Sequence, residues 1–300
     1  MNNYAPFRDL QEKLRELCPS DGITLVSFRE FAWEKPFLAK IQYFASETNC
    51  NFFESKRLDS EEITDYLNRI TIDLMFVVSW RFMIPREIYS RARFGCIVFH
   101  NSMLPKYRGF APTNWAIING EKETGVSMFF INENVDSGPI ISQKAVKIGE
   151  NELISTIAER VSAAYIELLE ESIDKIKSNK VDVIYQDESE ASYTCKRIPE
   201  DGRIDWEKST IEIFNLIRAI SNPWTGAYTF FNGKKFTIWN ASLLTPPKKY
   251  RGTHMWTSSI LLAGFVSARE SPDKEAPLGR RSFPRTGFIG IQYYWNMHLR

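Results

Sequence analysis

The apolar positions of the chain fall into short runs separated by longer segments of helical period. From Phe7 to Leu17, Leu10, Leu14 and Leu17 recur at three- and four-residue spacing, which predicts a helix. The turn signal Pro19-Ser20-Asp21-Gly22 precedes Ile23 to Phe28, a predicted buried strand. Helices are predicted over Pro36 to Glu47 and from Ser60 to Leu67, the second with Ser60 as N-cap and acidic residues in its first turn. Asp73 to Val78 forms an apolar run of the kind that parallel strands covered on both faces require. Cys96 to Phe99 is another, ending at His100. An amphipathic segment around Trp115 to Ile118 leads to a further strand-like run, Gly125 to Ile131. Glu152 to Ile176 reads as a long amphipathic helix, with Ile157, Val161, Ala164, Tyr165, Leu168 and Ser172 along the side that would cover a sheet. Alternating elements of this kind predict an α/β fold, a mostly parallel sheet flanked by helices.

The pattern changes after the polar stretch Gln186-Asp187-Glu188-Ser189-Glu190, the best candidate for a linker. Arg203-Ile204-Asp205-Trp206 leads into a predicted helix from Ser209 to Ile220. Asn232-Gly233 suits the positive φ angles of a tight hairpin turn, continued by a strand from Phe236 to Trp239. The expected organisation is therefore 1–185, a smaller α+β or β-rich block over 191–245, and an unassigned tail over 246–300.

Composition narrows the class without naming a function. A hydrophobic content of 43% with 25% charged residues belongs to a globular chain able to bury a sizeable core. The formal net charge is +1, from 38 basic and 37 acidic residues, so no general electrostatic drive toward nucleic acid exists. Cys18, Cys50, Cys96 and Cys195 lack metal-binding spacing and read as reduced thiols, with no metal site expected. The opening MNNYAPFRDL has no apolar core of a signal peptide, and no apolar run approaches spanning length. The expectation is a cytoplasmic protein without a membrane partner.

The candidate chemistry lies between Cys96 and Gln143. His100 ends a buried strand and is followed by a stiff loop, which is where open α/β sheets place their ligands. A lone histidine at a strand end is more often structural than catalytic, and Asp136-Ser137-Gly138 alone is an ordinary turn. Together they carry more. The series His100-x-Ser102-x-Leu104-Pro105-x-Tyr107-Arg108-Gly109-x-x-Pro112, then Gly125-Val126, then Asp136-Ser137-Gly138, resembles the signature of the formyltransferases that use 10-formyltetrahydrofolate. The separation of His100 and Asp136 by 36 positions fits as well, and the resemblance runs from about Ile23 to about Leu244.

That resemblance implies a Rossmann-like domain over 1–185 and a formyltransferase C-terminal-type domain over 191–245. It implies His100 as the proton shuttle and Asp136 as the group that orients the imidazole and stabilises its cationic form. Ser102, Leu104, Pro105, Arg108 and Gly109 would form one wall of the folate site, with Pro105 and Gly109 setting its shape and Gly138 lending flexibility to the Asp136 loop. Trp80 and Phe82, after an apolar strand, read first as packing residues; their place at the ligand edge of the sheet makes contact with the pterin the second reading.

The chain departs from the family pattern twice. The opening strand of the type KIVFxG is missing, which predicts a vacant slot in the sheet. The Asn that normally stands two residues before the histidine, a donor to the developing oxyanion, is replaced by Val98. Asn101, just past the strand end, is one candidate substitute, and a water or a backbone N–H is the other.

Trp80-Arg81-Phe82-Met83-Ile84-Pro85 is more similar to the Trp-x-x-x-Ile-Pro segment of sugar-amine formyltransferases than to the corresponding segment of the tRNA enzyme. The expected partner is thus a small nucleotide-linked amino sugar. Methionyl-tRNA is the alternative. A catalytically impaired relative that binds folate or a nucleotide sugar is the third reading, and Val98 feeds it.

Overall fold

The computed structural model describes residue 10 and residues 12–16, 22–244, 259–261 and 267–268. Of the helix expected over Phe7 to Leu17, residue 10 and residues 12–16 are helical and the rest lies outside the described residues, as do Cys18, His254, His298 and most of the tail.

The strands are short because each apolar run is short. Strand β1 (Thr24–Ser27) pairs in parallel with β2 (Asn51–Glu54) across helix α1 (Leu38–Glu47). Helix α2 (Glu61–Leu67) starts at Ser60, whose backbone is extended as an N-cap requires, but its hydroxyl makes no capping bond. Strand β3 (Met75–Val78) pairs in parallel with β4 (Cys96–His100), beyond the single turn α3 (Arg86–Tyr89).

Beyond β4 the sheet turns antiparallel. Residues Arg108–Gly109 form the short strand β5, and α4 (Pro112–Ile118) is too short to return the chain along the sheet. Strand β6 (Glu123–Phe130) therefore enters at the His100 end, with His100 opposite Ser127, and continues into β7 (Ile140–Lys147) as a hairpin. Helix α5 (Ile154–Lys177) covers this sheet, burying Ile157, Val161, Ala164, Tyr165, Leu168 and Ser172 as the periodicity predicts.

The strand order is β3-β4-β6-β7 in one sheet and β1-β2 in another. No described strand pairs with the remaining edge of β1 or of β3. An edge-to-face cluster of Phe28, Trp80 and Phe82, with Phe28 and Trp80 centroids 5.3 Å apart, ties the ends of β1 and β3 together instead.

The second block begins with β8 (Tyr193–Thr194), which pairs with β5. Helix α6 (Thr210–Ala219) opens with a capping box in which Ser209 and Glu212 satisfy each other's backbone amides. Strands β9 (Ala227–Phe231) and β10 (Lys234–Ile238) form the predicted hairpin, with Asn232 and Gly233 at φ 50° and 74°. Three short strands follow, β11 (Ser242–Leu244), β12 (Ser259–Leu261) and β13 (Ser267–Ala268). One hydrophobic cluster runs without a break from Ile97 and Val126 through Leu168 to Ile204, Ile217 and Ala227, so the two blocks share a core. No described helix is long and apolar enough to cross a membrane.

Candidate active site

The loops that follow β1, β3 and β4 enclose a cavity of about 500 Å³. His100, Asn101, Gly109, Asp136, Trp80 and Phe82 all line it. Val98 lines it too, on the same side of β4 as His100, as residues two apart in a strand must be.

The imidazole is held from both sides. Nε2 lies 2.7 Å from the Tyr107 carbonyl, and Nδ1 lies 3.4 Å from Asp136 Oδ2. A carbonyl can only accept, so Nε2 carries the proton and Nδ1 is the basic nitrogen of the neutral ring. On protonation Nδ1 acquires a hydrogen that faces the carboxylate. Asp136 is itself anchored by the Gly109 amide, which donates to Oδ2 at 2.7 Å.

Backbone strain concentrates here. Apart from three asparagines, the non-glycine residues at positive φ among those described are Ser79, Tyr107, Ala111 and Asp136. Ser79, Ala111 and Asp136 line the cavity, and Tyr107 supplies the carbonyl that fixes His100. Each such residue costs about 1–3 kcal/mol and persists where its surroundings over-determine it, most often at functional sites. Gly138 has a different task from the one expected. A side chain there would collide with the Phe130 carbonyl, so the residue allows a close approach of two backbones rather than motion of the loop.

Asn101, the expected replacement donor, lines the cavity. The buried Tyr165 hydroxyl donates to its Oδ1, which directs Nδ2 elsewhere. Burial pushes the Tyr165 phenol well above its usual range, so it stays protonated and remains a donor.

Four residues of the expected folate wall do not line the cavity. Ser102 Oγ donates to the Lys106 carbonyl at 2.6 Å, a bond within its own loop. Leu104 is buried among Phe129, Ile140 and Val98. Pro105 precedes the turn and its carbonyl accepts from Ser192 N at 3.3 Å. Arg108 is fully buried and its guanidinium is consumed by protein, with Glu188 gripped at 2.7 and 2.8 Å, Gln186 Oε1 at 2.8 and 3.1 Å and the Tyr193 hydroxyl at 2.8 Å. The Arg108 charge holds Glu188 below the usual carboxylate range.

Gln186 was read as linker and has a larger role. Its Nε2 donates to the carbonyls of Asp136 and Gly138 at 2.9 and 2.8 Å while Oε1 accepts from Arg108. One side chain therefore joins the loop bearing Asp136 to the loop bearing the Tyr107 carbonyl. A second brace joins the loops after β1 and β3, where Arg81 meets Glu34 through bonds of 2.5 and 2.9 Å. Burial alone would raise the Glu34 carboxyl; Arg81 and the Phe31 amide outweigh it and hold the group below its usual range.

This geometry can be set beside known proteins. Residues 15–173 match the family model described as formyl transferase, and residues 196–260 match the formyl transferase C-terminal domain. The chain belongs to the formyltransferase family. It is 34% identical over 234 residues to the bifunctional polymyxin resistance protein ArnA of Wigglesworthia glossinidia brevipalpis, covering 78% of this chain and 36% of that one. It is 36% identical over 186 residues to the methionyl-tRNA formyltransferase of Caldanaerobacter subterraneus subsp. tengcongensis, covering 62% of this chain and 60% of that one. The chain thus spans less than two thirds of the length of either relative. The same fold occurs in WlaRD, a sugar 3N-formyl transferase solved in the presence of dTDP and 5-N-formyl-THF, with a TM-score of 0.58 and 20% identity over 88% of this chain and 92% of that one.

Proposed function

We propose that the protein transfers a formyl group from 10-formyltetrahydrofolate to the amine of a nucleotide-linked amino sugar. The observation that carries the reading is the His100–Asp136 pair, 3.4 Å apart on the wall of a cavity of ligand size, with the ring fixed by the Tyr107 carbonyl. The substrate nitrogen attacks the formyl carbon and a C–N bond forms. The His100–Asp136 pair takes up the proton that the nitrogen loses, and the carboxylate stabilises the resulting imidazolium. Nδ2 of Asn101 donates to the oxyanion. Collapse breaks the bond to N10 of the folate, which takes up the proton and leaves as tetrahydrofolate.

The cavity suits a pterin. Trp80, Phe82 and Ile84 give it apolar wall, and the Trp80 indole Nε1 is buried with no hydrogen-bond partner among the described residues. A buried donor of this kind costs about 1–3 kcal/mol until it meets an acceptor, and the pterin edge carries acceptors. A small amine as acceptor substrate is supported by the Trp80 to Pro85 segment and by the near-zero net charge.

The test is a set of nucleotide 4-amino sugars incubated with 10-formyltetrahydrofolate, following tetrahydrofolate release and the formamide by mass spectrometry. Product should form, and His100→Ala should lower turnover roughly 10²–10⁴-fold with the melting temperature unchanged. No product from any amine, with folate binding intact, would replace catalysis by a binding role. The identity to the methionyl-tRNA enzyme favours a second reading, for which binding of tRNA would weaken steeply with salt.

A further inference from the structure

Tyr107 is a costly place for a side chain, because its backbone is left-handed at φ 61°. Both members of the His100–Asp136 pair depend on the short run that it opens. The Tyr107 carbonyl meets His100 Nε2 at 2.7 Å, and two residues on the Gly109 amide donates to Asp136 Oδ2 at 2.7 Å. The neutral ring has one hydrogen and two acceptors beside it. The Tyr107 carbonyl is the nearer, whereas Asp136 Oδ2 stands 3.4 Å from Nδ1 and already accepts from Gly109. The carbonyl keeps the hydrogen on Nε2 only while it is held in place.

The grip on Tyr107 comes from outside the cavity. Its amide donates to Ser192 Oγ at 2.9 Å. Its phenol donates to Glu121 Oε1 at 2.7 Å and accepts from Asn119 Nδ2 at 3.2 Å. Asn119 and Glu121 flank Gly120 in the turn that ends α4. That turn is closed by the Gly120 amide on the Ile117 carbonyl at 3.1 Å and the Glu121 amide on the Ala116 carbonyl at 2.9 Å, with Gly120 at φ 76°. A helix end closed by both bonds gives the two side chains a rigid base. Glu121 supplies the carboxylate of the set, and an ionised acceptor makes the stronger bond.

We infer that Glu121, which does not line the cavity, is a positioning residue for His100 and acts through the phenol and carbonyl of Tyr107. The inference rests on the reading of the His100–Asp136 pair as the acceptor of the proton. When the phenol is released, Tyr107 can leave the left-handed region and its carbonyl swings away from Nε2. The ring hydrogen then moves to Nδ1, where it faces the carboxylate.

The test is ring nitrogen NMR of the 15N-labelled full chain, which needs neither folate nor amine. The chain has three histidines, and the His100 signals are those absent from His100→Ala. The neutral wild-type ring should carry its hydrogen on Nε2. Glu121→Ala and Tyr107→Phe should each raise the ratio of Nδ1–H to Nε2–H about two- to ten-fold and lower kcat by a similar factor, with folate affinity within about two-fold. Glu121→Gln keeps an oxygen for the phenol and should recover most of both effects. The double variant should be no worse than either single one, as two residues acting through one bond require. An unchanged tautomer in Glu121→Ala would overturn the inference, and a fall in melting temperature alone would leave Glu121 a structural tie. A tautomer shift without formylation of any amine would keep the positioning role and remove the transfer reading. Formylation with an unchanged tautomer would do the reverse.

Discussion

Position 98 asks whether the site can stabilise an oxyanion at all. Val98 borders the cavity on the strand that ends in His100, and it has no hydrogen to donate. Asn101 lies three residues on, with Oδ1 taken by the Tyr165 hydroxyl and Nδ2 left as the donating end of the amide. Asn101→Ala is expected to lower single-turnover rates by roughly 10²–10³, the scale of losing one oxyanion donor. Tyr165→Phe, which frees the amide to rotate, should give a smaller loss. With Asn101 as the donor, as proposed, Val98→Asn should change little. A near-normal rate in Asn101→Ala together with a gain in Val98→Asn would place the burden back on position 98. Asn101 was legible as a candidate in the sequence. Tyr165 was read only as a sheet-covering residue, because a hydroxyl on an apolar helical stripe looks like packing until its partner is seen.

The elements that local pattern specifies are the ones the sequence placed well. The runs from Ile23 and Asp73, the strand ending in His100, the long covering helix and the Asn232-Gly233 hairpin each follow from periodicity or turn chemistry within a few residues. Strand β7 went unnamed because Ser142, Gln143 and Lys144 interrupt its apolar alternation. The antiparallel turn of the sheet depends on how short α4 is, and no residue type announces that. Gln186 shows the limit most clearly. In a polar stretch a glutamine looks solvated, whereas here it donates to the Asp136 and Gly138 carbonyls and accepts from Arg108. As a positioning residue outside the cavity wall, it should act on kcat rather than on binding. Gln186→Glu keeps an acceptor for Arg108 and sets a carboxylate against the two carbonyls. Turnover should fall at least ten-fold while folate affinity stays within about two-fold, a split equivalent to about 1.4 kcal/mol in the transition state alone. A parallel loss of affinity and thermal stability, with kcat unaffected, would reduce Gln186 to a structural tie.

Over the whole molecule, the expected boundary at 185 cuts through the most demanding charge in the structure. Arg108 is fully buried, and the groups that satisfy its guanidinium are Gln186, Glu188 and Tyr193, all on the far side of that boundary. The same cut removes Ile204, Ile217 and Ala227 from the shared core, and it takes away Arg218, which donates to the Gly149 carbonyl at 3.0 Å, and the Ala219 carbonyl that accepts from Asn114 at 2.7 Å. Glu188 is 67% exposed, so the larger loss is the apolar core that the two blocks share, set against the roughly 5–15 kcal/mol that holds a typical domain together. A chain of residues 1–185 should therefore lack a cooperative melt by circular dichroism, while residues 1–244 should keep one. Arg108→Met in the shorter chain would relieve the stranded charge but leave the apolar face of α4 uncovered, so it should recover only part of the loss. A cooperative melt of 1–185 at the midpoint of the longer chain would mean that the two blocks are independent, and that the grip of the second block on the active-site loop contributes nothing to folding.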